Sequence, residues 1–292
     1  MSIRLFVFDW DGTALGGHKP YDRFPPAFVR FLDNLSRRGI VWATNTTWGV
    51  ETQYKVIKAS GVKSSPAFLA GESARSLGAV KNNKLQIDAA YKRHLNSLDR
   101  RFLEKFEPLM RRTMAQVITK GLADRVFFNP YGHHYISIYF KNESFARKGW
   151  PLVNPLLKPG GMYRAFNSLN SKSDSLLPFY MNKGAILGYI QKRLGVLPEE
   201  TLVAGDGFND RHMFDTGIAK WMVCPANASS YIKALVRKHG GIVSRLRYSQ
   251  GIIRGAEELI KSAETCGRTA ICFQTRAPGW FFRRLPADRI LL

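Results

Sequence analysis

Two carboxylates, Asp9 and Asp11, stand two residues apart at the end of the apolar run in "LFVFDWDGT". Gathering like charges away from water is costly unless a proton or a cation neutralises them. A second acidic pair, Asp206 and Asp210, lies far along the chain in "GDGFND", again behind an apolar run, "ETLVA". A hydroxyl, Thr44, ends the apolar run "IVWAT", and Lys183 opens the helix-patterned "KGAILGYIQKRLGV". Carboxylate oxygens suit Mg²⁺, which takes one or two of them together with phosphate and water. An aspartate beside such a cation can attack phosphorus, and lysine and hydroxyl donors can stabilise a transferring phosphoryl group. The chemistry this set points to is phosphoryl transfer.

These residues meet only if the fold gathers them. Ile3 to Phe8 reads as a buried strand that stops at charge and glycine. "PPAFVRFLDNLSRRG" sets Phe28, Phe31, Leu32 and Leu35 at helical spacing between opening prolines and a closing Gly39. "IVWATN" is a second strand and "GVETQYKVIKASG" a second helix. Apolar strands alternating with helices predict a parallel sheet covered on both faces. The alternation returns in "KGAILGYIQKRLGV", "ETLVAGD", a short helix "NDRHMFDTG", "KWMVC", "SSYIKALVRKHGG" and "GIIRGAEELIKSA". In an open sheet of this kind ligands bind beyond the carboxyl ends of the strands, where the four aspartates and Thr44 fall.

The middle of the chain, from Gly78 to Asp174, has another pattern. Leu98, Phe102, Phe106, Leu109, Met110, Thr113, Met114 and Val117 share a helical face that Pro108 kinks or splits. "RVFFN" and "HHYISIYF" are successive strands, a helix follows around residues 144–157, and "GMYRAFN" is a strand. Successive strands predict antiparallel pairing and an α+β insertion. The fold class is therefore α/β, a doubly wound parallel sheet over 1–77 and 176–262. An α+β cap is inserted over 78–175, and a basic, aromatic tail covers 263–292.

"DWDGT" (Asp9 to Thr13), Thr44, "NKG" at Lys183 and "GDGFND", in that order, closely resemble the haloacid dehalogenase (HAD) superfamily of phosphatases, over residues 3–262. An insertion between the second motif and the lysine resembles the C2-capped branch. "MNKGAILGYIQKRLGVLPEETLVAGDGFNDRHMFDTG" looks most like the Cof-type and sucrose-phosphatase-like members. The resemblance implies a Rossmann-like core and an Mg²⁺ cofactor. It casts Asp9 as the nucleophile and Asp11 as the general acid and base, whose backbone carbonyl also meets the metal. Thr44 is implied as a phosphate-binding hydroxyl, and Lys183 as the neutraliser of nucleophile and phosphate. Asp206 is implied as a direct metal ligand, Asp210 as the second acidic residue and Asn209 as a neighbour of the phosphate. The implied metal set is Asp9, Asp11, Asp206 and Asp210.

One segment departs from the relatives. Many read T-G-R at the second motif; this chain reads "TNTTW", Thr44 to Trp48. Asn45 or Thr46 either binds phosphate in place of the missing residues or caps the helix that follows.

The implied function is a Mg²⁺-dependent phosphomonoesterase acting through an aspartyl-phosphate on a small phosphorylated metabolite, a sugar phosphate first. A phosphatase of nucleotides or nucleic-acid ends is the alternative within the class. The charge supplies it: 44 basic against 22 acidic residues, a net +22 and a pI near 10.2, favours anionic partners. A basic nucleic-acid-binding module without catalysis is the alternative outside it, and the complete acidic set argues against that. A 45% hydrophobic content excludes a disordered chain, and no apolar run is long enough to span a bilayer. Three cysteines are too few for a disulfide framework and the start is a poor signal peptide, so a cytoplasmic location is the expectation. "YGHH", Tyr131 to His134, reads as a turn between strands or a substrate contact, and His212 as a helix-surface residue. "GWFFRRLPADRILL" reads as packing on its own domain or docking elsewhere.

Overall fold

The computed structural model describes residues 2–18, 21–130, 132, 135–165 and 172–274. Strand β1 (Leu5–Phe8) is followed by α1 (Pro26–Arg37), β2 (Val41–Asn45), α2 (Val50–Ala59) and β3 (Phe68–Gly71). Pro26 opens α1, where a missing N–H costs nothing. The three strands pair in parallel, Phe8 beside Thr44 and Thr44 beside Leu69. Alternate residues of β1 serve opposite faces. Phe6 and Phe8 pack edge-on against Phe31 and Phe28 of α1, while Leu5 and Val7 join the core on the other side.

The sheet then continues through a hairpin, β4 (Ser76–Lys81) antiparallel to β3 and β5 (Lys84–Ile87) antiparallel to β4. Asn82 and Asn83 turn it with φ of 49° and 57°, the left-handed pair that a two-residue hairpin turn requires. The large sheet therefore runs on to Ile87, past residue 78, where the sequence pattern set the start of the insertion. The hairpin escapes a periodicity reading because it is a sheet edge, with Lys81, Lys84 and Gln86 exposed.

The insertion proper comprises α3 (Ala89–Thr119), β6 (Ala123–Phe128), β7 (Ile136–Phe140), α4 (Glu143–Val153), β8 (Met162–Arg164) and β9 (Ser173–Pro178). Its strands form a separate antiparallel sheet in the order β6-β7-β9-β8. Helix α3 begins well before Leu98, where Asp88 accepts the amide of Tyr91, and it carries Pro108 inside it without being split. Tyr131, His133 and His134 lie outside the described residues.

The chain re-enters the core with α5 (Lys183–Leu194), β10 (Thr201–Ala204), β11 (Trp221–Cys224), α6 (Ser230–Lys238), β12 (Ile242–Val243) and α7 (Tyr248–Gln274). The large sheet reads β12-β11-β10-β1-β2-β3-β4-β5, parallel from β12 to β3. The first part of the expected tail continues α7 to Gln274; residues 275–292 lie outside the described residues. The expected short helix after Asp206 is a single 3-10 turn, Phe208–Asp210. Among the described residues no helix is long and apolar enough to cross a membrane.

One buried carboxylate ties cap to core. Asp99, on the apolar face of α3, accepts Arg75 from the approach to β4 at 2.5 Å and Tyr180 at 2.7 Å, and also Tyr135. Arg75 also donates to the carbonyl of Pro130 at 3.3 Å. It is delivered by three residues in left-handed conformation, Glu72, Ser73 and Ala74, with φ of 56°, 55° and 71°. Such a run of non-glycine residues is unfavourable by about 1 to 2 kcal/mol each, so it persists only where contacts hold it. We expect Arg75→Met to leave Asp99 without its cation and to lower stability by about 3 to 5 kcal/mol. Urea unfolding of the variant reads this, and an unchanged midpoint would refute the joint.

Candidate active site

The parallel pairing of β1 with β10, Phe8 beside Ala204, brings both acidic motifs to one edge of the sheet. The amide of Asp9 continues the ladder by donating to the carbonyl of Ala204 at 3.0 Å. Lys183 enters from α5, whose first turn is capped by Asn182 accepting the amide of Ala185 at 2.8 Å. The Lys183 ammonium lies 2.6 Å from Asp9 Oδ1 and 2.5 Å from Asp210 Oδ1, and only 3% of its side chain is exposed.

Each carboxylate is aimed by local structure. Asp210 Oδ2 accepts the backbone amides of Asp206 at 2.9 Å and Gly207 at 2.8 Å, leaving Oδ1 for the lysine. Asp206 Oδ1 accepts the hydroxyl of Thr13 at 2.8 Å. Gly12 must be glycine: its φ is +76°, and a Cβ there would stand 2.2 Å from Asp206 Oδ2. Asn227 holds that turn, donating to the carbonyl of Gly12 at 2.7 Å and accepting the amide of Tyr248 at 2.8 Å.

The charges explain the electrostatics. Burial raises Asp9 well above the carboxylate range; the charge of Asp210 adds to this and Lys183 opposes it. Burial, then Asp210, pushes Asp206 up to about 7. Burial works against the Lys183 ammonium, but Asp210 and Asp9 override it and hold it protonated, above the usual lysine range. Asp9, Asp206 and Asp210 each offer an oxygen within 4.8 Å of the others. Three carboxylates against one ammonium leave excess negative charge, and such an oxygen set fits a hard divalent cation.

The side chain of Asp11 is not in that group. Its Oδ2 accepts the indole N–H of Trp48 at 2.7 Å, and its Oδ1 accepts the hydroxyl of Tyr21 at 3.1 Å. Trp10, between the two aspartates, is fully buried against Phe24 and Trp48.

The second-motif residues Thr44, Asn45 and Thr46 are all held by neighbours within the protein. Thr44, expected at the phosphate, is fully buried and donates to Gln53 Oε1 at 2.5 Å. Strand register is the reason: Thr44 sits beside Phe8 and shares its face, one residue short of the position level with Asp9. Asn45 neither caps α2, whose N-cap is Gly49, nor stands open to phosphate. It is fully buried and donates to the carbonyl of Lys183 at 2.8 Å, fixing the start of α5. Thr46 is buried too, and its hydroxyl accepts the amide of Trp48 at 3.4 Å. Asn209 lies in the turn that presents Asp210.

His212 is not a surface residue. It is half-buried with its ring edge-on to Tyr163 of β8, centroids 4.9 Å apart, and burial depresses it to about 4, so it is neutral. Its neighbour Arg211 lies over the ring of Phe208 at 4.0 Å and donates to the carbonyl of Arg164 at 2.8 Å, joining the acidic loop to the cap. Trp48, Tyr21, Gln53 and Asn227 are the site residues that spacing alone did not assign. Trp48 was visible only as part of the departure "TNTTW".

A profile of the sucrose-6F-phosphate phosphohydrolase family matches residues 3–259. The chain belongs to this family. The chain is 24% identical over 254 residues to mannosylfructose-phosphate phosphatase of Agrobacterium fabrum (strain C58), covering 87% of this chain and 95% of that protein. Its fold is similar to that of the sucrose-phosphatase of Synechocystis sp. PCC6803, with a TM-score of 0.61 at 19% identity over 90% of this chain and 99% of that one. It is also similar to a haloacid dehalogenase-like hydrolase of Bacillus subtilis, with a TM-score of 0.60 at 16% identity over 88% of this chain and 92% of that one. The family member described here is thus a phosphatase with the fold of a haloacid dehalogenase-like hydrolase, a Rossmann-like core and an inserted cap.

Gly12→Ala tests the close approach at Asp206. We expect a folded protein, by circular dichroism, whose phosphatase activity falls by about a hundredfold, the usual effect of moving a catalytic group by an ångström. Full activity would show that Asp206 need not stay where it is.

Proposed function

We propose that this family member hydrolyses a phosphorylated sugar in two steps, with Asp9 as nucleophile and Mg²⁺ as cofactor. The observation that carries the reading is the Lys183 ammonium held between Asp9 and Asp210, with Asp206 in reach of both carboxylates. Asp9 attacks phosphorus and the bond from phosphorus to the sugar oxygen breaks, its electron pair leaving with that oxygen. Asp11 supplies the proton that the leaving oxygen takes up. Asp11 then withdraws a proton from water, which attacks phosphorus and releases Asp9 and phosphate. Lys183 opposes the protonation of Asp9 that burial favours, and it faces the negative charge of the phosphoryl oxygens. Asp9, Asp206 and Asp210 would hold the cation, with the Asp11 carbonyl as a further ligand; when bound it supplies positive charge to neutralise carboxylates and phosphate.

The cap supports a sugar as the leaving group. On its sheet Phe127, Ser137 and Ser175 stand side by side on one face, as do Arg125, Tyr139 and Ser173. Leu177 and Tyr163 continue that face, and Tyr163 packs on His212 of the acidic loop, so this face is turned toward the core. Aromatic rings beside hydroxyls suit a ligand with apolar ring faces and many hydroxyls. The substrate named for the Agrobacterium relative, a phosphorylated disaccharide, belongs to the same class.

A phosphate-release panel of monosaccharide phosphates, disaccharide phosphates and nucleotides, with and without Mg²⁺, tests the reading. We expect sugar phosphates to be turned over and activity to need the metal. Preference for nucleotides would favour the reading based on the net charge of +22. Asp9→Asn should abolish release while the fold survives, and residual turnover near wild type would remove Asp9 as nucleophile.

The raised Asp206 gives a linkage test. With the folded group at about 7 and an ordinary value of 3.8, the metal-free protein holds a proton between these that the unfolded chain does not. Its contribution to stability therefore falls as pH rises through that window. A cation displaces the proton. Added Mg²⁺ should thus raise the melting temperature more at about pH 8 than at about pH 5.5, and an equal shift at both would contradict it.

A further inference from the structure

The departure at the second motif is a built structure. Thr44 donates to Gln53 Oε1, and the amide nitrogen of Gln53 donates to the carbonyl of Trp48 at 2.7 Å and to that of Ala70 at 3.0 Å. Trp48 donates its backbone amide to Thr46 at 3.4 Å and lays its ring on the fully buried Trp10, centroids 5.4 Å apart. Amide, carbonyl and ring are all held, and the one group left over, the indole N–H, is the one that reaches Asp11.

We propose that Trp48, with Tyr21, is the positioning residue for Asp11, an inference that rests on the reading of Asp11 as the proton carrier. The terminal torsion of an aspartate is broad, so a carboxylate at a strand end has no preferred orientation of its own. A donor on each oxygen, Trp48 on Oδ2 at 2.7 Å and Tyr21 on Oδ1 at 3.1 Å, removes that freedom. The two donors differ in kind. An indole N–H can only donate, so Oδ2 must remain an acceptor whenever Trp48 is in place. A phenol can rotate and accept, so Oδ1 is the oxygen that carries the proton to the leaving group. Tyr21 is 42% exposed and can turn; Trp48 is fixed from three sides. The segment "TNTTW" thus supplies a neutral clamp on the acid.

The test separates orientation of the acid from general damage by the leaving group. A sugar oxygen needs its proton to depart, whereas p-nitrophenolate leaves without one. Trp48→Phe keeps a ring on Trp10 and loses only the N–H. The readout is kcat/KM, which reports formation of the aspartyl-phosphate, on two substrates. These are p-nitrophenyl phosphate and the sugar phosphate of the panel that the wild type turns over fastest. We expect Trp48→Phe to lower the sugar value about a hundredfold, the scale of general acid catalysis, and the p-nitrophenyl value less than about threefold. Tyr21→Phe, at an exposed position, should show the same selectivity at about tenfold and serves if Trp48→Phe fails to fold. Trp48→His, which restores a ring N–H, should recover part of the loss. Equal losses on both substrates, or none, would overturn the inference while leaving the phosphatase reading intact. A wild type that releases no phosphate from any substrate would overturn the phosphatase reading itself, and the inference with it.

Discussion

The site depends on one ammonium buried between two carboxylates. A lysine taken out of water costs several kcal/mol, and it stays charged here only because Asp9 and Asp210 flank it at hydrogen-bond distance. The reverse dependence is as strong: without Lys183, Asp9 and Asp210 would face each other and Asp206 in a site largely shut off from water. Much of the surrounding structure serves to hold these groups. The ladder bond from Asp9 to Ala204 brings the two acidic loops together, the amides of Asp206 and Gly207 aim Asp210, and Asn45 pins the start of α5. Burial first, and then the excess of carboxylates over ammonium, raises Asp9 and Asp206, and the same crowded oxygen set suits a cation.

The elements that carry the chemistry were legible because each is an apolar strand stopped by charge or a helix with one apolar face. β1, α1, β2, α5 and β10 are of this kind, and the order of the motifs along them carries the resemblance to the HAD superfamily. What escaped shares a different property: its meaning lies in a partner far along the chain or in strand register. Asn45 is 138 positions from the carbonyl it holds. Thr44 has the right type and place, but the face it occupies depends on its pairing with β1. Asp99 sits among apolar residues of α3, where spacing alone gives a carboxylate no reason to be, and its reason is Arg75. The β4–β5 hairpin is announced only by the two asparagines of its turn.

Cap and core are usually pictured as a specificity module on a chemical engine, but the contacts here cross that division. Arg211 and His212, directly after the acidic loop, carry β8 of the cap. Asp99 in the cap and Arg75 in the core form one buried ion pair, so burial of charge is spread over both parts of the molecule.

The return segment from cap to core gives this a wider meaning. The Tyr180 hydroxyl rests on Asp99, the sulfur of Met181 meets Arg75, and the carbonyl of Met181 accepts Tyr163 of β8. Two residues later comes Lys183. Lys183 thus hangs from the cap as much as from the sheet, and the cap is not an interchangeable part. A cap transplanted from a relative would bring new substrate contacts, but it would also reset the anchor of the ammonium. In such a lineage, a change of diet and a retuning of the chemistry are inherited together.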